Sequence, residues 1–240
     1  MTIQHNLFQQ PVGFPLPGWT PPPLPPRTPL AGRYCRVEAL AADQHASALY
    51  TANAADSGRM WTYLPYGPFA GYGDYKEWLD SIETSTDPLF YVITEQATGQ
   101  AGGIASYLRI DQKNGVIEVG HIAYAPRLRR TPAATEAMFL LMERVFKLGY
   151  RRYEWKCDAL NAPSRAAAQR LGFSYEGTFR QAVIYKGRNR DTAWYAMTDQ
   201  DWPAIRDAFV QWLEPGNFDE RGEQRVALSA LTGPLLVARG

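Results

Sequence analysis

Two arginines beside a helix start form the chemically most informative stretch of the chain, "RRTPAATEA" (residues 129–137). Thr131 suits an N-cap, and Pro132 suits the first helical position, where no N–H is needed. A helix N-terminus already carries about half a positive charge, so Arg129 and Arg130 beside it are unfavourable by ~0.3–1 kcal/mol each. The stretch therefore predicts an anion site built from guanidinium groups and backbone N–H groups.

A second pair of reactive groups lies upstream, in "GVIEVGHIAY" (residues 115–124). His121 has a reference pKa of ~6.5, which suits general-base chemistry near neutral pH, and Glu118 is the other titratable group. Side chains three apart on a regular strand point to opposite faces, so only one faces the cleft unless a bulge, for which Gly120 is suited, intervenes. Three alternatives for the base stay open: His121, Glu118 and a water-mediated mechanism. His121 is also suited to a hydrogen bond within the sheet, and Glu118 is also suited to an ion pair with an arginine.

Hydrophobic periodicity and turn residues predict the elements that position these groups. The turns "QATGQ" and "DQKNG" are typical of antiparallel hairpins. The predicted strands cover residues 33–40, 88–95, 102–110, 115–124, 150–158, 175–185 and 192–197, and the predicted helices cover residues 43–53, 74–85, 131–148, 161–172 and 203–213.

A long helix connects the strands at 116–124 and 150–158, which requires a right-handed crossover between parallel strands. Ligands of such sheets bind beyond the carboxyl ends of the strands, where the helix N-terminus points. The N–H groups of residues 131–135, with Arg129 and Arg130, are therefore predicted to form a nest for a pyrophosphate. The chain lacks GxGxxG and GxxxxGK[ST], which disfavours a dinucleotide or a nucleoside triphosphate.

The chain divides into three predicted regions: a proline-rich arm (1–30), an α/β domain (31–198) and a C-terminal helical extension (199–240). Nine of the 18 prolines fall in the first 30 residues, so this arm is predicted to be extended. Its "PPLPPR" fits a ligand pattern of SH3 domains, although we expect the arm to lie across the protein's own surface.

Composition argues against several classes of function. The net charge of +1 gives no general reason to bind nucleic acid or an anionic membrane. Cys35 and Cys157 lack metal-ligand spacing and fit a reducing compartment. No apolar run approaches the ~20 residues of a membrane helix, and "MTIQHNLFQQ" lacks the features of a signal peptide. We expect a cytoplasmic protein without a metal; a homodimer is left open.

The order of elements and a set of motifs resemble the GNAT (Gcn5-related) N-acetyltransferases over about residues 32–198. The pyrophosphate loop of that family, Arg/Gln-x-x-Gly-x-Gly/Ala, corresponds to residues 129–134. "TEA" follows it as in the RimJ/RimL-like branch, whose members acetylate the N-termini of ribosomal proteins. That branch also carries Asn-x-x-Ser followed by "GF" and "EG", and this chain has Asn161, Ser164, "GF" at 172–173 and "EG" at 176–177.

The resemblance implies a mixed α/β sheet flanked by helices and transfer of acetyl from acetyl-CoA to a primary amine by direct attack in a ternary complex. It also implies that the backbone of residues 122–124 pairs with the pantetheine arm and that Ser164 is the acid for the leaving thiolate. Asn161 and Ser164 are equally suited to capping a helix. The implied cofactor-binding residues are Ile122, Ala123, Tyr124, Arg129, Arg130, Thr131, Ala133, Ala134, Thr135, Asn161 and Ser164.

Three positions depart from the family pattern. Pro132 replaces the first glycine of the loop and removes one N–H donor. No tyrosine stands near Ala168 to serve as the acid, and Val183 occupies the position of a branch glutamate. A catalytically silent, acetyl-CoA-binding sensor or regulatory module is therefore the alternative function.

The acceptor side is expected at an aromatic-rich loop, which holds seven aromatic residues between Gly58 and Trp78. In the family this loop roofs the acceptor, which here is a protein N-terminus or a small amine. Packing of the loop on the proline-rich arm is the alternative. Basic residues of the last predicted hairpin indicate an acidic or phosphorylated acceptor, or else a solvated turn. The predicted acceptor-binding residues are Trp61, Tyr63, Tyr66 and Phe69, and the basic residues are Lys186, Arg188 and Arg190.

Overall fold

The computed structural model describes residues 3–240 of the chain. The strands are β1 (Gln4–His5), β2 (Pro11–Val12), β3 (Leu30–Ala31), β4 (Cys35–Ala39), β5 (Leu89–Glu95), β6 (Ala101–Asp111), β7 (Val116–Tyr124), β8 (Arg152–Asp158), β9 (Ser174–Tyr185) and β10 (Arg188–Thr198). The α-helices are α1 (Ala42–Ala54), α2 (Tyr72–Glu83), α3 (Pro132–Lys147), α4 (Ala162–Arg170), α5 (Trp202–Leu213) and α6 (Leu228–Thr232).

Eight of the strands form one mixed sheet in the order β3-β4-β5-β6-β7-β8-β10-β9. Neighbouring strands are antiparallel except β7 and β8, which are parallel. The predicted mixed sheet is therefore confirmed, as is the strand–helix–strand unit at its centre. The prediction of about seven strands omitted the short β3, whose two residues carry no readable alternation.

Helices cover the two faces of the sheet unequally. On one face α3, α4 and α5 pack against the larger apolar core, which includes Met138, Ala168 and Phe209. On the other face α1 and α2 pack over β5 and β6 in a second core that includes Leu49 and Leu79. The even-numbered residues of β8 and β10 point to the α1–α2 side, because their odd-numbered neighbours lie in the larger core.

Helix α3 begins and ends where the sequence predicts. Thr131 is its N-cap, with Oγ1 accepting the N–H of Ala134, and Pro132 is its first residue. Gly149 follows the C-cap at φ 95°, a conformation that glycine adopts without steric cost. By contrast, α2 begins at Tyr72 after the N-cap Gly71, so the predicted start at residue 74 is two residues late.

A buried carboxylate joins α3 to the first strands of the sheet. The Glu136 carboxylate accepts the backbone N–H groups of Arg33, Tyr34 and Cys35 at 2.6–2.8 Å. A Cβ at Gly32 would lie 2.3 Å from this carboxylate, so only glycine permits the approach. The contact holds the bend before β4 against the first turns of the helix that carries the predicted anion site.

The proline-rich arm lies on the protein's own surface. Arg144 of α3 donates to the carbonyl oxygens of Pro26 and Thr28, and the Tyr150 hydroxyl donates to that of Pro23. Arg27, the basic residue of the SH3-ligand pattern, donates to the carbonyl oxygens of Glu83 and Ser85 at the end of α2. The guanidinium that an SH3 domain would need is thus engaged within the chain.

The C-terminal region packs into the main core. Trp202 and Phe209 of α5 stack against Phe139 and Phe146 of α3. Beyond α6, the carbonyl oxygen of Ala238 accepts the N–H of Tyr175 at the start of β9. The tail thereby covers the beginning of an edge strand, an arrangement that limits pairing with other chains.

We predict that Glu136→Ala lowers the free energy of unfolding by about 3 kcal/mol or more, because it leaves one buried and two partly buried N–H groups without their charged acceptor. Glu143→Ala, two turns along the same helix, is the matched control. Glu143 forms partly exposed ion pairs with Lys147 and Arg206, and such pairs contribute less than about 1 kcal/mol. Urea denaturation followed by circular dichroism measures both values, and equal losses would contradict the role given to Glu136.

Candidate functional site

The parallel strands β7 and β8 part halfway along their length. They pair from Val116 with Arg152 to Val119 with Trp155, and no pairing follows. The outer edges of both strands stay paired, β7 with β6 and β8 with β10. Residues 120–124 and 156–158 therefore face each other across a gap with their inner backbone edges free, at the carboxyl ends of the strands where ligands bind.

A bulge in β7 lies at this gap. Ile104 pairs with Ala123 and Ser106 with Gly120, so Ala105 alone opposes both His121 and Ile122. His121 has a φ of 51°, an uncommon value for a residue with a side chain and one concentrated at functional sites. The extra residue changes the alternation, so that Glu118 and His121 share the α1–α2 face while Ile122 and Tyr124 pack into the larger core.

The predicted phosphate loop precedes α3 as expected, but most of its backbone donors are bonded within the loop. The N–H groups of Thr131, Ala134 and Thr135 donate to Leu128 O, Thr131 Oγ1 and Thr131 O. Pro132 has none. Among residues 3–240, the N–H groups of Arg130 and Ala133 have no acceptor.

The two arginines of the loop differ in their contacts. Arg129 donates from Nη2 to both carboxylate oxygens of Asp56 at 3.0 Å and from Nε to the carbonyl oxygen of Tyr124. Asp56 is 7% exposed, and it also accepts the N–H of Met60. Arg130 is exposed, has a φ of 63° and forms no hydrogen bond or ion pair with the described residues. Arg129 therefore fixes the loop, and Arg130 remains available to an anion.

A further cation lies beside the first turn of α3. Arg170, the last residue of α4, donates from Nη2 to Thr135 Oγ1 at 3.2 Å and pairs with no carboxylate in residues 3–240. Burial lowers the pKa of its guanidinium. The Tyr124 hydroxyl is also buried without a partner among the described residues. An anion at the start of α3 would compensate the Arg170 charge.

His121 lies between two aromatic rings. Its Nδ1 is 3.1 Å from the Tyr66 hydroxyl, and its ring packs 5.1 Å from the ring of Phe90, measured between centroids. Burial, together with the charges of Arg109 and Arg190, lowers the pKa of His121 to about 4. Burial raises the pKa of Tyr66 well above its ordinary value, so its hydroxyl stays protonated. The imidazole is thus neutral near pH 7, with Nε2 as its second nitrogen.

Glu118 belongs to a buried ion network. It accepts from Arg109 at 2.7 Å, and its other carboxylate oxygen lies 2.9 Å from Lys156 Nζ. Lys156 also pairs with Glu154 at 2.7 Å. Burial raises the pKa of Glu118 and the two cations oppose that rise. These contacts are those of the arginine-paired carboxylate that the sequence analysis left as an alternative to the base.

Asn161 and Ser164 stand at the start of α4, next to the parted end of β8. Asn161 is the N-cap, and its Oδ1 accepts the N–H of Ser164 at 3.1 Å. Ser164 Oγ accepts the indole N–H of Trp155 at 3.0 Å. That bond uses a lone pair of the oxygen and not its proton, so the hydroxyl keeps a proton to donate, as an acid requires.

The aromatic loop forms part of the second core and does not pack on the arm. Trp61 is 5% exposed, and Phe69 packs against it and against Trp78. Tyr66 reaches His121, and the Tyr63 hydroxyl donates to Leu160 O beyond β8. Tyr63 and Tyr66 are therefore the two predicted acceptor-side residues that contact the site region, whereas Trp61 and Phe69 support them from within the core.

The hairpin of β9 and β10 joins this loop over the site. Lys186 Nζ donates to Trp61 O at 2.6 Å, and the Tyr185 hydroxyl donates to Asp158 Oδ2 at 2.8 Å. Arg188 is exposed. Of the basic residues noted in the sequence, Lys186 and Arg190 thus lie toward the site.

Sequence reasoning missed Asp56, Lys156 and Arg170. Asp56 and Arg129 are far apart in sequence and meet only in the fold. A pairing of Lys156 with Glu154 was readable, because residues two apart on a strand lie on the same face. Arg170 had a weaker signal, a basic residue in the last turn of a short helix, which is also a normal helix-terminal position.

Residues 3–240 contain no cluster of three or more His, Cys, Asp or Glu side chains that could hold a metal ion. Over the same residues, no helix has the length and apolar character needed to cross a membrane.

Comparisons with known proteins agree with this geometry. Residues 37–174 match the family model described as an acetyltransferase (GNAT) domain. None of the curated proteins matches the chain significantly. Among solved structures, a GCN5-related N-acetyltransferase from Brucella melitensis is 46% identical, covers 91% of this chain and 100% of its own, and superposes with a TM-score of 0.89.

Two further structures share the fold. A Chromobacterium violaceum protein described as a GNAT-family acetyltransferase is 42% identical over 81% of this chain and 98% of its own, with a TM-score of 0.76. The microcin C7 self-immunity acetyltransferase MccE, solved with acetyl-CoA and AMP, is 20% identical over 70% and 93% of the two chains, with a TM-score of 0.61. With a family match over more than half of its length and these relatives, the chain belongs to the GNAT acetyltransferase family.

Proposed function

We propose that this acetyltransferase moves the acetyl group of acetyl-CoA to a primary amine by direct attack in a ternary complex. The observation that carries the proposal is the gap between β7 and β8, with free backbone edges and the start of α3 at its end. Amide groups of a pantetheine arm can pair with the free edge of residues 122–124 as a strand would. The solved complex of MccE with acetyl-CoA supports the donor.

Arg130, Arg170 and the N–H of Ala133 are proposed to bind the CoA pyrophosphate. These groups fit an anion, because both guanidiniums lack a carboxylate partner in residues 3–240 and the Ala133 N–H lacks an acceptor. Thr131, Ala134 and Thr135 shape the helix start, and Arg129 holds the loop through Asp56. The absence of the loop glycine at Pro132 is thereby compensated by two cations.

His121 and Ser164 are proposed to move the protons. The amine nitrogen attacks the thioester carbonyl carbon, the C–S bond breaks, and the amine proton passes to His121 Nε2 while Ser164 Oγ donates its proton to the sulfur. The proton on His121 then returns to the Ser164 oxygen through solvent, so that one proton moves in net from nitrogen to sulfur. For Nε2 to accept, His121 Nδ1–H donates to the Tyr66 oxygen, 3.1 Å away. Glu118 acts as the partner of Arg109 and Lys156.

The finer assignment to RimJ/RimL-like enzymes is also a proposal. It rests on "TEA" after the phosphate loop, on Asn161 and Ser164, and on "GF" and "EG". Val183 at the position of the branch glutamate favours an acceptor other than a ribosomal protein. The rival function is a silent acetyl-CoA sensor, which would bind acetyl-CoA and release no thiol with any amine.

We predict that Arg130→Ala and Arg170→Ala each weaken acetyl-CoA binding about tenfold, the scale of one lost charge-assisted contact. Calorimetric titration of each variant gives the dissociation constant. Arg221→Ala, in an exposed turn away from the site, is the control and is expected to leave affinity unchanged. Wild-type affinity in both site variants would refute the assignment of these cations to the pyrophosphate.

We predict that His121→Gln lowers kcat by about 10²-fold or more, within the range of a lost general base. Because burial lowers the pKa of His121 to about 4, the imidazole is protonated, and inactive as a base, only as the pH falls through about 4. Between pH 6 and pH 9 the rate should follow the deprotonated fraction of the acceptor amine, in the wild type and in the variant alike. Thiol release measured across this range checks both statements.

Two outcomes would contradict this account. A wild-type rate for His121→Gln would remove the base role and leave water as the proton acceptor. Acetyl-CoA binding without thiol release for every amine tried would favour the sensor, and it would overturn acetyl transfer as the function of this site.

A further inference from the structure

Three hydrogen-bond donors on one face of β10 have no partner among residues 3–240. They are Arg190 Nε, Thr192 Oγ1 and Trp194 Nε1, and all three atoms are buried. The residues are spaced by two along the strand, so their side chains leave it on the same face. Thr192 is 4% exposed, so its hydroxyl is held inside the protein. Buried donors without acceptors are unfavourable, and a ligand with acceptor oxygens would satisfy this row.

The row faces away from the proposed pyrophosphate site. Ala193, which separates Thr192 from Trp194, and Tyr195, which follows Trp194, lie in the larger core, on the side of α3, α4 and α5. Thr192 and Trp194 therefore point to the opposite, α1–α2 side of the sheet. Phosphates bound at the start of α3 lie on the wrong side to supply acceptor oxygens to the row.

The row lies on the side of the proposed acceptor. The Trp194 ring is 3.7 Å from Lys156 Nζ, which is paired with Glu118. Thr192 is paired with Asp158, the last residue of β8 at the gap. Arg190 packs 5.8 Å from the Tyr185 ring in the hairpin whose Lys186 contacts the aromatic loop.

The charges on this face leave a positive excess beside the row. Arg190 and Lys186 form no ion pair within the described chain, and burial lowers the pKa of Lys186. The three buried carboxylates of the face already have partners: Glu118 pairs with Arg109 and Lys156, Glu154 with Arg152 and Lys156, and Asp158 accepts the Tyr185 hydroxyl and the Leu160 N–H. An anion from outside the chain is therefore the group that this face lacks.

We propose that the acceptor amine carries an anionic oxygen group, a carboxylate or a phosphate, which Arg190, Thr192 and Trp194 bind while the amine faces His121. The inference rests on the proposed function and adds the chemical class of the acceptor. A guanidinium, a hydroxyl and an indole N–H all donate, so the site selects acceptor oxygens and rejects an ammonium or an apolar group.

The test uses the full chain with two sets of matched amines. The first set is the ω-amino acids from glycine to 6-aminohexanoate, each compared with its amide. The second set is 2-aminoethyl phosphate and 3-aminopropyl phosphate, each compared with its amino alcohol. Thiol release from acetyl-CoA gives kcat/KM, and the indole N–H resonance of Trp194, assigned with Trp194→Phe, reports binding to the CoA-loaded protein without turnover.

We expect the anionic member of at least one set to have about tenfold higher kcat/KM than its neutral counterpart, the scale of a charge-assisted contact. Arg190→Gln should abolish this preference, and the isosteric Thr192→Val should reduce it. Arg188→Gln, two residues away and exposed, should keep it. The set that shows the preference distinguishes a carboxylate from a phosphate.

The failure of the inference and that of the proposed function give different results. Acetylation of neutral amines as fast as anionic ones, or a preference retained in Arg190→Gln, would overturn the inference and leave acetyl transfer intact. A shift of the Trp194 resonance by anionic amines alone, with no thiol released, would uphold the anion site and contradict acetyl transfer. The absence both of a shift of the Trp194 resonance and of a preference in kcat/KM for anionic amines would overturn the inference outright.

Discussion

The end of the parallel pairing at Val119 and Trp155 is the constraint on which the rest of the site depends. Antiparallel partners hold the outer edges of β7 and β8, so the strands can part without loss of the sheet. The bulge at His121 accompanies the parting and turns Glu118 and His121 to one face. The backbone irregularity thus lies beside the gap and places a neutral imidazole on its α1–α2 side.

Two buried carboxylates, Glu136 and Asp56, hold the elements around this gap. Glu136 ties the second turn of α3 to the bend before β4, and the pair of Arg129 with Asp56 ties the phosphate loop to the segment after α1. Buried carboxylates need such partners, and removal of one partner leaves an uncompensated charge. These contacts fix the start of α3 beside the gap. Arg130 and Arg170 form no ion pair with a carboxylate among the described residues.

Much of this arrangement could be predicted from local sequence. The bounds of α3 were predictable from the N-cap Thr131 and from Gly149 after its last turn. The parallel strand pair was predictable from the strand–helix–strand order, because all of these signals lie close together in the sequence. The bulge beside Gly120, and with it a shared face for Glu118 and His121, was one of the two arrangements that the sequence left open. The contact of Asp56 with Arg129 and the burial of Trp61 against Phe69 were not readable, because they depend on residues brought together only by the tertiary fold.

The central claim is that the anion at "RRTPAATEA" is the pyrophosphate of CoA, held where β7 and β8 part. Calorimetric titration of the wild-type chain with acetyl-CoA, CoA and ATP tests it most directly. The account predicts micromolar binding of acetyl-CoA and CoA and no binding of ATP, since only the first two carry a pantetheine arm for the gap. Binding of ATP as tight as that of acetyl-CoA, or no binding of acetyl-CoA, would contradict it.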